Sequence, residues 1–163
     1  MHQVVSDTMT NVRRDRPVHL LGIGGISDIF HGVRQGIDTF DCVHPTRLGR
    51  HGGALVKARF WEQEQQRDIE YWEEGQQNVE HANLLKGRYS DDHRPIDENC
   101  GCPTCRGGYT RAYINHLGRA GELLAGMLVS QHNVFFMNEL MTAIRQAIRN
   151  GTLDEEEDKW LAP

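Results

Sequence analysis

The stretch Cys100-Gly-Cys102-Pro-Thr-Cys105 holds three of the four cysteines of this chain within six residues. A cluster this tight forms either a disulfide knot, which needs an oxidising compartment, or a set of thiolate ligands for one zinc ion. The N-terminal residues show no basic segment followed by an apolar one, so we expect a cytoplasmic protein with reduced thiols. The spacing therefore favours zinc.

Three cysteines leave one zinc ligand to be supplied from elsewhere in the chain. His93, His116 and His132 are candidates, and spacing alone does not choose among them. Cys42 lies in a predicted strand and is a poor candidate. A zinc ion with four protein ligands has no open coordination position, so we expect one structural rather than catalytic metal.

Composition describes an ordinary globular protein with a segregated charge pattern. The chain has 163 residues, of which 38% are apolar, and this is enough for a domain with a core. No apolar run reaches the length of a membrane span. The formal net charge is −5, and the acidic run 154–158 accounts for all of it. The arginine-rich remainder permits a phosphate-bearing partner without requiring one.

The segment before residue 50 reads as a βαβ unit. We predict buried strands at Val18–Ile23 and Ile37–Val43, and a helix at Ile29–Gln35 that Ser27 or Asp28 caps and Gly36 closes. The short connections predict parallel strands and hence an α/β fold. Since parallel sheets are covered on both faces, two strands predict a larger sheet.

Two glycine-rich stretches follow these strands. They are Gly22–Gly25 and Thr46–Gly53, and both are predicted loops. Loops at the carboxyl ends of parallel strands carry function, so we expect the two to face one site. The alternative is that the glycines only make tight turns. The G-x-G-x-x-G pattern of dinucleotide sites is not matched.

Asp41 is the strongest catalytic candidate in the chain. It lies at the end of the second predicted strand, where a carboxylate can act as a nucleophile or general base. The alternative is a structural aspartate held by Arg47, Arg50 or backbone amides. Position alone leaves both interpretations open.

The rest of the chain is predicted to be mostly helical. Lys57–Leu85 reads as a polar helix with Trp61, Ile69 and Trp72 on one stripe, and 87–99 as a loop. Helices are predicted from Tyr109, with an apolar face continued by Leu117, Leu123, Leu124, Met127 and Leu128, and over His132–Arg149. The buried face of the last helix is predicted to hold Val134, Met137, Leu140, Met141, Ile144, Ala147 and Ile148. We expect the acidic tail to be disordered.

Five sequence blocks together resemble the bacterial-type queuine tRNA-ribosyltransferases, also called tRNA-guanine transglycosylases. The blocks are Leu20-Leu-Gly-Ile-Gly24, Gly36-Ile-Asp-Thr-Phe-Asp-Cys-Val-His-Pro-Thr-Arg-Leu-Gly-Arg50, the cysteine cluster, Tyr109-Thr-Arg-Ala-Tyr-Ile-Asn-His-Leu117 and Gln131-His-Asn-Val-Phe-Phe-Met137. The resemblance covers residues 4–56 and 94–150.

The resemblance implies an α/β fold that is the C-terminal part of a (β/α)8 TIM barrel with a zinc-binding subdomain. Residues 1–56 would be the last βα units with the nucleophile loop, and 57–93 a charged helical insert. Residues 94–151 would form the zinc-binding subdomain and C-terminal helices, followed by the acidic tail 152–163. The earlier barrel strands, with a second catalytic aspartate, are expected outside this chain.

The resemblance also implies a pentosyltransferase in queuosine biosynthesis. It would exchange guanine at the tRNA wobble position for queuine or its precursor, without cutting the backbone, and full-length enzymes would be homodimers with no membrane partner. Asp41 matches the nucleophile that attacks ribose C1′. Cys100, Cys102, Cys105 and His132 match the zinc ligands. The RNA-binding stretches match Gly22, Ile23, Gly24, Gly25, Ile26, Ser27, Asp28, Thr46, Arg47, Leu48, Gly49 and Arg50.

Two functional interpretations follow from this resemblance. The first is an enzyme whose isolated chain turns over no tRNA. The alternative is a non-catalytic, zinc-containing module of the same family that binds tRNA or dimerises. The presence of Asp41 and Arg47 favours the enzyme, because a non-catalytic partner has no need of a nucleophile.

Overall fold

The computed structural model describes residues 1–67 and 80–161 as a mostly helical α/β structure. The chain divides into two compact units, Met1–His44 and Pro45–Pro163. Among the described residues, no helix is both long enough and apolar enough to cross a membrane.

The first unit is a βαβ arrangement preceded by a helix. Its elements are α1 (His2–Met9), β1 (His19–Leu21), α2 (Ile26–Arg34) and β2 (Thr39–Asp41). The two strands pair in parallel, with His19 opposite Thr39 and Leu21 opposite Asp41. The predicted order and strand direction are confirmed.

The strands of this unit are shorter and more exposed than the predicted strands Val18–Ile23 and Ile37–Val43. Leu21 is 74% exposed, and the prediction of buried strands is wrong. The cause is that side chains alternate between two faces, and helix α2 packs against the face of Phe40. The buried Gly32 of α2 leaves room for that ring, since a Cβ there would lie 2.8 Å from it.

Helix α2 begins earlier than the sequence predicts. Gly25 is its N-cap, in place of Ser27 or Asp28, and the fully buried Ile26 already belongs to its first turn. Gly36 follows the end of the helix with a φ of +86°, as predicted. Arg14 donates to the carbonyl of Gln35 at 2.7 Å and so satisfies part of that helix end.

The second unit is built from helices around a small antiparallel sheet. The elements that follow are α3 (His44–Arg50), β3 (Gly53–Leu55), α4 (Ala58–Arg67), β4 (His81–Asn83), α5 (Pro103–Arg106), α6 (Arg111–Arg119), α7 (Leu123–Asn150) and α8 (Leu153–Trp160), with a 3-10 turn at Gly87–Tyr89. Helix α3 starts at the last residue of the first unit. Strands β3 and β4 pair with Ala54 opposite Ala82.

Two predictions for residues 46–85 are wrong. The predicted loop Thr46–Gly53 is mostly helix α3, whose first turn accommodates Pro45. Residues 81–83 form strand β4 rather than continuing the predicted helix Lys57–Leu85. Trp61 is buried in the core as expected, whereas Ile69 and Trp72 lie outside the described residues.

The core of this unit surrounds the cysteine cluster. Ala54, Leu84, Ile114 and Val129 are fully buried in one cluster with the three cysteines. They come from β3, the turn after β4, α6 and α7, so the cysteines lie where these elements meet. Burial of this apolar surface stabilises the unit.

Helix α7 is one 28-residue helix that begins well before the predicted start at His132. Of its predicted buried face, Leu140, Ile144 and Ala147 are buried, whereas Val134 and Ile148 are exposed. The predicted apolar face before it is wrong for three of its five residues. Leu123, Leu124 and Met127 are exposed, while Leu117 and Leu128 are buried. Gly151 ends α7 with a φ of +70°, as predicted.

The acidic tail forms helix α8, so the prediction of disorder is wrong. Trp160 is buried, packs edge-on against Phe136 with ring centroids 5.0 Å apart, and carries the Lys57 ammonium 4.0 Å above its ring. Its indole N–H donates to Glu156 at 2.8 Å. One aromatic anchor thus docks a helix whose composition otherwise predicts solvation.

Candidate functional site

The cysteine cluster and one histidine converge in the second unit. Cys102 is the N-cap of the short helix α5, and its sulfur accepts from the Cys105 amide at 3.3 Å. The Cys100 sulfur accepts from the Cys102 amide at 3.4 Å. His132 enters from α7, and all four side chains are buried. The four ligand atoms lie within 4.8 Å of one another.

The spacing of these atoms fits one tetrahedral zinc ion. Each of the three sulfurs lies 3.6 Å from Nδ1 of His132. A tetrahedral ion with bonds of about 2.3 Å to sulfur and about 2.1 Å to nitrogen separates such ligands by about 3.6 Å. All three cysteines are free thiols, which removes the disulfide alternative. His132 is the fourth ligand; His93 and His116 are exposed and outside the cluster.

The interactions among the side chains of the cluster favour binding of a cation. Hydrogen bonds from Cys100 and Cys105 lower the pKa of the Cys102 thiol, and the interaction with Cys102 raises that of Cys100. Burial opposes the charged form of His132, but hydrogen bonds to Cys102 and Cys105 raise its pKa to about 10. The raised pKa values of Cys100 and His132 mean that, without a metal, these two groups favour their protonated forms. Zinc supplies the positive charge that allows crowded thiols to ionise.

The backbone of β3 fixes the orientation of the histidine. Nε2 of His132 lies 2.9 Å from the carbonyl oxygen of Leu55, and since a carbonyl only accepts, the proton is on Nε2. Nδ1 is then left to face the three sulfurs. This arrangement is typical of metal-binding histidines, whose second nitrogen donates to a carbonyl or carboxylate.

A buried ion network holds the loop that leads into the cysteines. Arg111 donates to Glu64 and Asp92, each at 2.9 Å, and to the carbonyls of Pro95 and Ile96. Burial raises the pKa of Asp92, but hydrogen bonds from Arg94 and the charge of Arg111 outweigh it, so the net pKa is lowered. Sequence reasoning missed this network, because its members lie far apart in sequence.

Asp41 lies in the first unit with an exposed carboxylate. Its side chain is 60% exposed, and one oxygen is 3.0 Å from Nε2 of His19. The Thr39 hydroxyl is 2.8 Å from Nδ1 of the same ring, and a donating hydroxyl would place the histidine proton toward Asp41. His19 was not predicted as a partner of Asp41. The two-residue period of a strand places His19 on the same face as Leu21, and Leu21 lies opposite Asp41.

Cys42 takes no part in the metal site. Its sulfur accepts from the His44 amide at 3.3 Å and contacts the carbonyl of Gly22 at 3.5 Å. A Cβ added at Gly24 would lie 2.5 Å from the Cβ of Cys42, so glycine allows this loop to pack closely on it. Cys42 thus holds the first glycine-rich loop, within the first unit.

The predicted RNA-binding residues divide between exposed and buried positions. Ile26 and Gly49 are buried, so they contribute packing, whereas Arg47 and Arg50 are exposed on α3. Arg50 borders a hollow of ≈ 570 Å³ that Leu85 and other residues line. In the first unit Gly24 is also buried and Gly22 is exposed. The remaining members are half-buried: Ile23, Gly25, Ser27 and Asp28 in the first unit, and Thr46 and Leu48 in the second. That the two stretches converge on one site stays a prediction.

These observations define the class of the protein before any comparison. It is an α/β protein with a parallel βαβ unit ending in an exposed carboxylate, and with a closed Cys3His metal centre in a helical unit. Such a centre offers no open coordination position, so the metal stabilises the fold. That Asp41 carries the chemistry stays a prediction.

Comparisons with known proteins place the chain in a family. The family model described as queuine tRNA-ribosyltransferase matches residues 1–163. A queuine tRNA-ribosyltransferase of Roseiflexus sp. (strain RS-1) is 47% identical over 162 residues, which is 99% of this chain and 36% of the relative. One of Synechococcus sp. (strain CC9311) is 41% identical over 160 residues, 98% of this chain and 37% of the relative.

This chain belongs to the queuine tRNA-ribosyltransferase family. It spans 36 to 37% of the length of the curated relatives named above. The family match runs through residues 57–93 as well, the segment predicted to be an insert.

Proposed function

We propose that this chain supplies the nucleophile and the zinc-stabilised RNA-holding region of a tRNA-guanine transglycosylase. The incoming base would be queuine or its precursor, and the accepting tRNA carries guanine at the wobble position. The observation that carries the proposal is Asp41, an exposed carboxylate at the end of a parallel strand, oriented by His19. Family membership supports the substrate class.

The proposed reaction is a double displacement at one carbon. A carboxylate oxygen of Asp41 attacks C1′ of the wobble ribose, and guanine leaves with the electrons of the glycosidic bond and takes up a proton. The incoming base then attacks C1′ through its ring nitrogen, loses its proton, and releases the carboxylate. The phosphate backbone stays intact, and two inversions retain the configuration at C1′.

His19 and the glycine-rich loop have defined tasks in this scheme. The His19 ring keeps one carboxylate oxygen of Asp41 hydrogen-bonded, which leaves the other oxygen to attack. The Gly22 amide adds a longer contact of 3.4 Å to the same bonded oxygen. Arg47 and Arg50, exposed on α3, would hold phosphates or base edges of the anticodon loop.

Zinc has a structural task in the proposal. When bound, it supplies charge neutralisation and a cross-link among α5, α7 and the loop before α5. Cys100, Cys102, Cys105 and His132 would hold it. Its reduced thiolate ligands suit the cytoplasm, where we expect the protein to act.

A chimera tests the proposal at the level of this chain's own residues. The segment of the Roseiflexus relative that matches this chain would be replaced by it. We expect the chimera to exchange labelled guanine in tRNA and to form a denaturation-resistant protein–tRNA adduct. Asp41→Ala should abolish the adduct while tRNA binding persists. Asp38→Asn, at another carboxylate of the first unit, is the control and should keep the adduct.

The same experiment separates the proposal from its alternative. A chimera that binds tRNA but never forms an adduct, with zinc at one per chain, would favour the non-catalytic module that binds tRNA or dimerises. We expect the isolated chain to show no turnover, because the parallel pair β1–β2 is open on one face. The homodimer implied for full-length enzymes is part of the proposal, and light scattering of the chimera checks it.

A further inference from the structure

Helix α3 is closely seated on helix α7 within the second unit. A Cβ added at Gly49 would lie 2.6 Å from the hydroxyl oxygen of Ser130 and 2.7 Å from its backbone N and Cα. The Ser130 hydroxyl donates to the carbonyl of Thr46 at 3.3 Å. The two helices therefore touch backbone to backbone, and the position of α3 depends on α7.

Asn133 of α7 ties down both ends of the α3 segment. Its side-chain amide donates to the carbonyls of Pro45 and Gly53, each at 2.9 Å, and its oxygen accepts from the Leu55 amide at 2.8 Å. Asn133 is fully buried, so solvent does not compete for these bonds. Pro45 lies in the first turn of α3, and Gly53 begins β3 after the two-residue turn that follows α3.

Leu55 is also held by His132, the metal ligand that precedes Asn133 in the sequence. His132 donates to the carbonyl of Leu55, while Asn133 accepts from the Leu55 amide. Both backbone groups of Leu55 are therefore hydrogen-bonded to consecutive residues of α7. A shift of Leu55 would therefore change both the orientation of His132 and the position of α3.

We propose that Asn133 is a positioning residue that couples the metal centre to helix α3, the helix that presents Arg47 and Arg50. The coupling runs from the zinc ligand His132 through Leu55 and Asn133 to the two ends of the α3 segment. The inference rests on the proposed function for the role of the arginines, and on contacts within the second unit for the coupling itself.

Another buried asparagine of the chain serves as a control for Asn133. Asn115 of α6 is also buried, and its amide also donates to two carbonyls, those of Leu84 at 2.7 Å and Lys86 at 2.9 Å. It fixes a segment that carries none of the predicted RNA-binding residues. Asn115→Leu therefore removes two buried hydrogen bonds of the same kind, against three in Asn133→Leu. The segment that Asn115 holds meets the region after α3 at Gly52, whose carbonyl accepts from the Leu84 amide at 2.9 Å.

The test compares Asn133→Leu, Asn115→Leu and the wild-type chain, each loaded with zinc. Hydrogen exchange of the amides from 46 to 51 reports the seating of α3, because residues 52–55 are also bonded to the segment that Asn115 holds. Chelator competition reports zinc affinity. Fluorescence titration with an anticodon stem-loop RNA reports binding.

For Asn133→Leu we expect exchange at least about tenfold faster in this segment, because three buried hydrogen bonds are lost. Zinc affinity should fall about tenfold, as for other partners that orient a metal ligand, and RNA affinity should fall with it. Zinc content should still reach one per chain. Asn115→Leu should lower the melting temperature similarly but leave all three readouts at wild-type values.

Two outcomes overturn the coupling. One is unchanged exchange in the α3 segment of Asn133→Leu, and the other is equal loosening of that segment in Asn115→Leu, which would make the effect global. If Asn133→Leu does not fold, Gly49→Ala tests the seat of α3 from the other helix and should give faster exchange and weaker zinc binding. A wild-type chain that binds no RNA counts against the proposed function, whereas the exchange and zinc readouts decide the coupling alone.

Discussion

The metal centre and the Asp41 carboxylate are held in place in opposite ways. The metal centre has four buried ligands on two helices and a loop, and its histidine is fixed by a strand carbonyl. Asp41 sits at the end of a three-residue strand with a side chain that is 60% exposed. The first site is closed by the contacts of its own unit. The second is exposed, as the proposed reaction at Asp41 requires.

From this difference we predict how stability and function are divided between the units. A structural metal and a buried ion network contribute to folding. The metal has no open coordination position at which a substrate could bind. A parallel sheet with one uncovered face contributes little to folding but leaves its carboxylate accessible. We therefore expect substitutions to have the largest effects on stability at the metal centre and the smallest on the open face of β1–β2.

Loss of a zinc ligand should give the largest effect. Cys102→Ser removes one of three thiolates, and metal binding contributes about 10–16 kcal/mol to the folding of zinc-finger peptides. We expect loss of stoichiometric zinc and of cooperative melting in the second unit, measured by metal analysis and calorimetry. Cys42→Ser, at the cysteine outside the cluster, is the control. Retention of both zinc and melting temperature in Cys102→Ser would exclude Cys102 as a ligand.

Removal of the buried guanidinium should come next. Arg111→Met removes the buried guanidinium and leaves Glu64 and Asp92 with the half-buried Arg94 as their shared cation. Breaking a buried pair costs about 3–5 kcal/mol, and because Arg94 stays we expect a loss of about 3 kcal/mol, at the lower end. Urea denaturation measures the free energy of unfolding. Arg59→Met is the matched control, because its pair with Asp97 is half-exposed at 3.4 Å and contributes about 0–1 kcal/mol. Equal losses in the two variants would show that Arg111 does not act through burial.

The parts predicted correctly from the sequence are those with local signals. Three cysteines in six residues define a metal site by spacing, and alternating strand and helix signals define the βαβ unit. The choice of His132 among three histidines needed the family resemblance, because the fold brings it to the cysteines from 27 residues beyond Cys105. The position of Asp41 at the end of a strand is confirmed, whereas its role as the nucleophile stays a prediction.

The errors share a physical cause, which is tertiary packing that overrides local composition. The glycines of 46–53 predict a loop, yet Gly49 allows α3 to pack against Ser130 as a helix. Strands β3 and β4 are only three residues long and carry no alternation to recognise. The acidic tail predicts disorder, yet the buried Trp160 docks it as α8.

The fall in unfolding free energy at acid pH should depend on Asp92. Its pKa is lowered: burial opposes ionisation, but hydrogen bonds from Arg94 and the charge of Arg111 favour it more. An unfolded aspartate has a pKa of about 3.9, so between the two values the unfolded state binds more protons. The stabilisation is therefore complete above about pH 4 and is lost as the pH falls through the lower, folded pKa.

Asp92→Asn tests this sign. We expect a cost of about 1.5–3 kcal/mol at pH 7, typical of hydrogen bonds to charged groups, that shrinks below about pH 4. Urea denaturation over this pH range measures the difference from wild type. Asp91→Asn, whose side chain is 97% exposed beside His93, should cost little at any pH. A difference that stayed constant into acid would mean that charge on Asp92 does not stabilise the fold.

The smallest effect is expected on the open face of the first unit. Leu21 lies opposite Asp41 in the parallel register and is 74% exposed, so Leu21→Ser removes little buried surface. We expect a change in unfolding free energy within about 0.5 kcal/mol. Phe30→Ala, at a fully buried ring of α2, should instead cost about 3–5 kcal/mol. A loss above about 1 kcal/mol in Leu21→Ser would mean that another surface covers this face in solution, and the contrast between a closed and an open unit would then not hold.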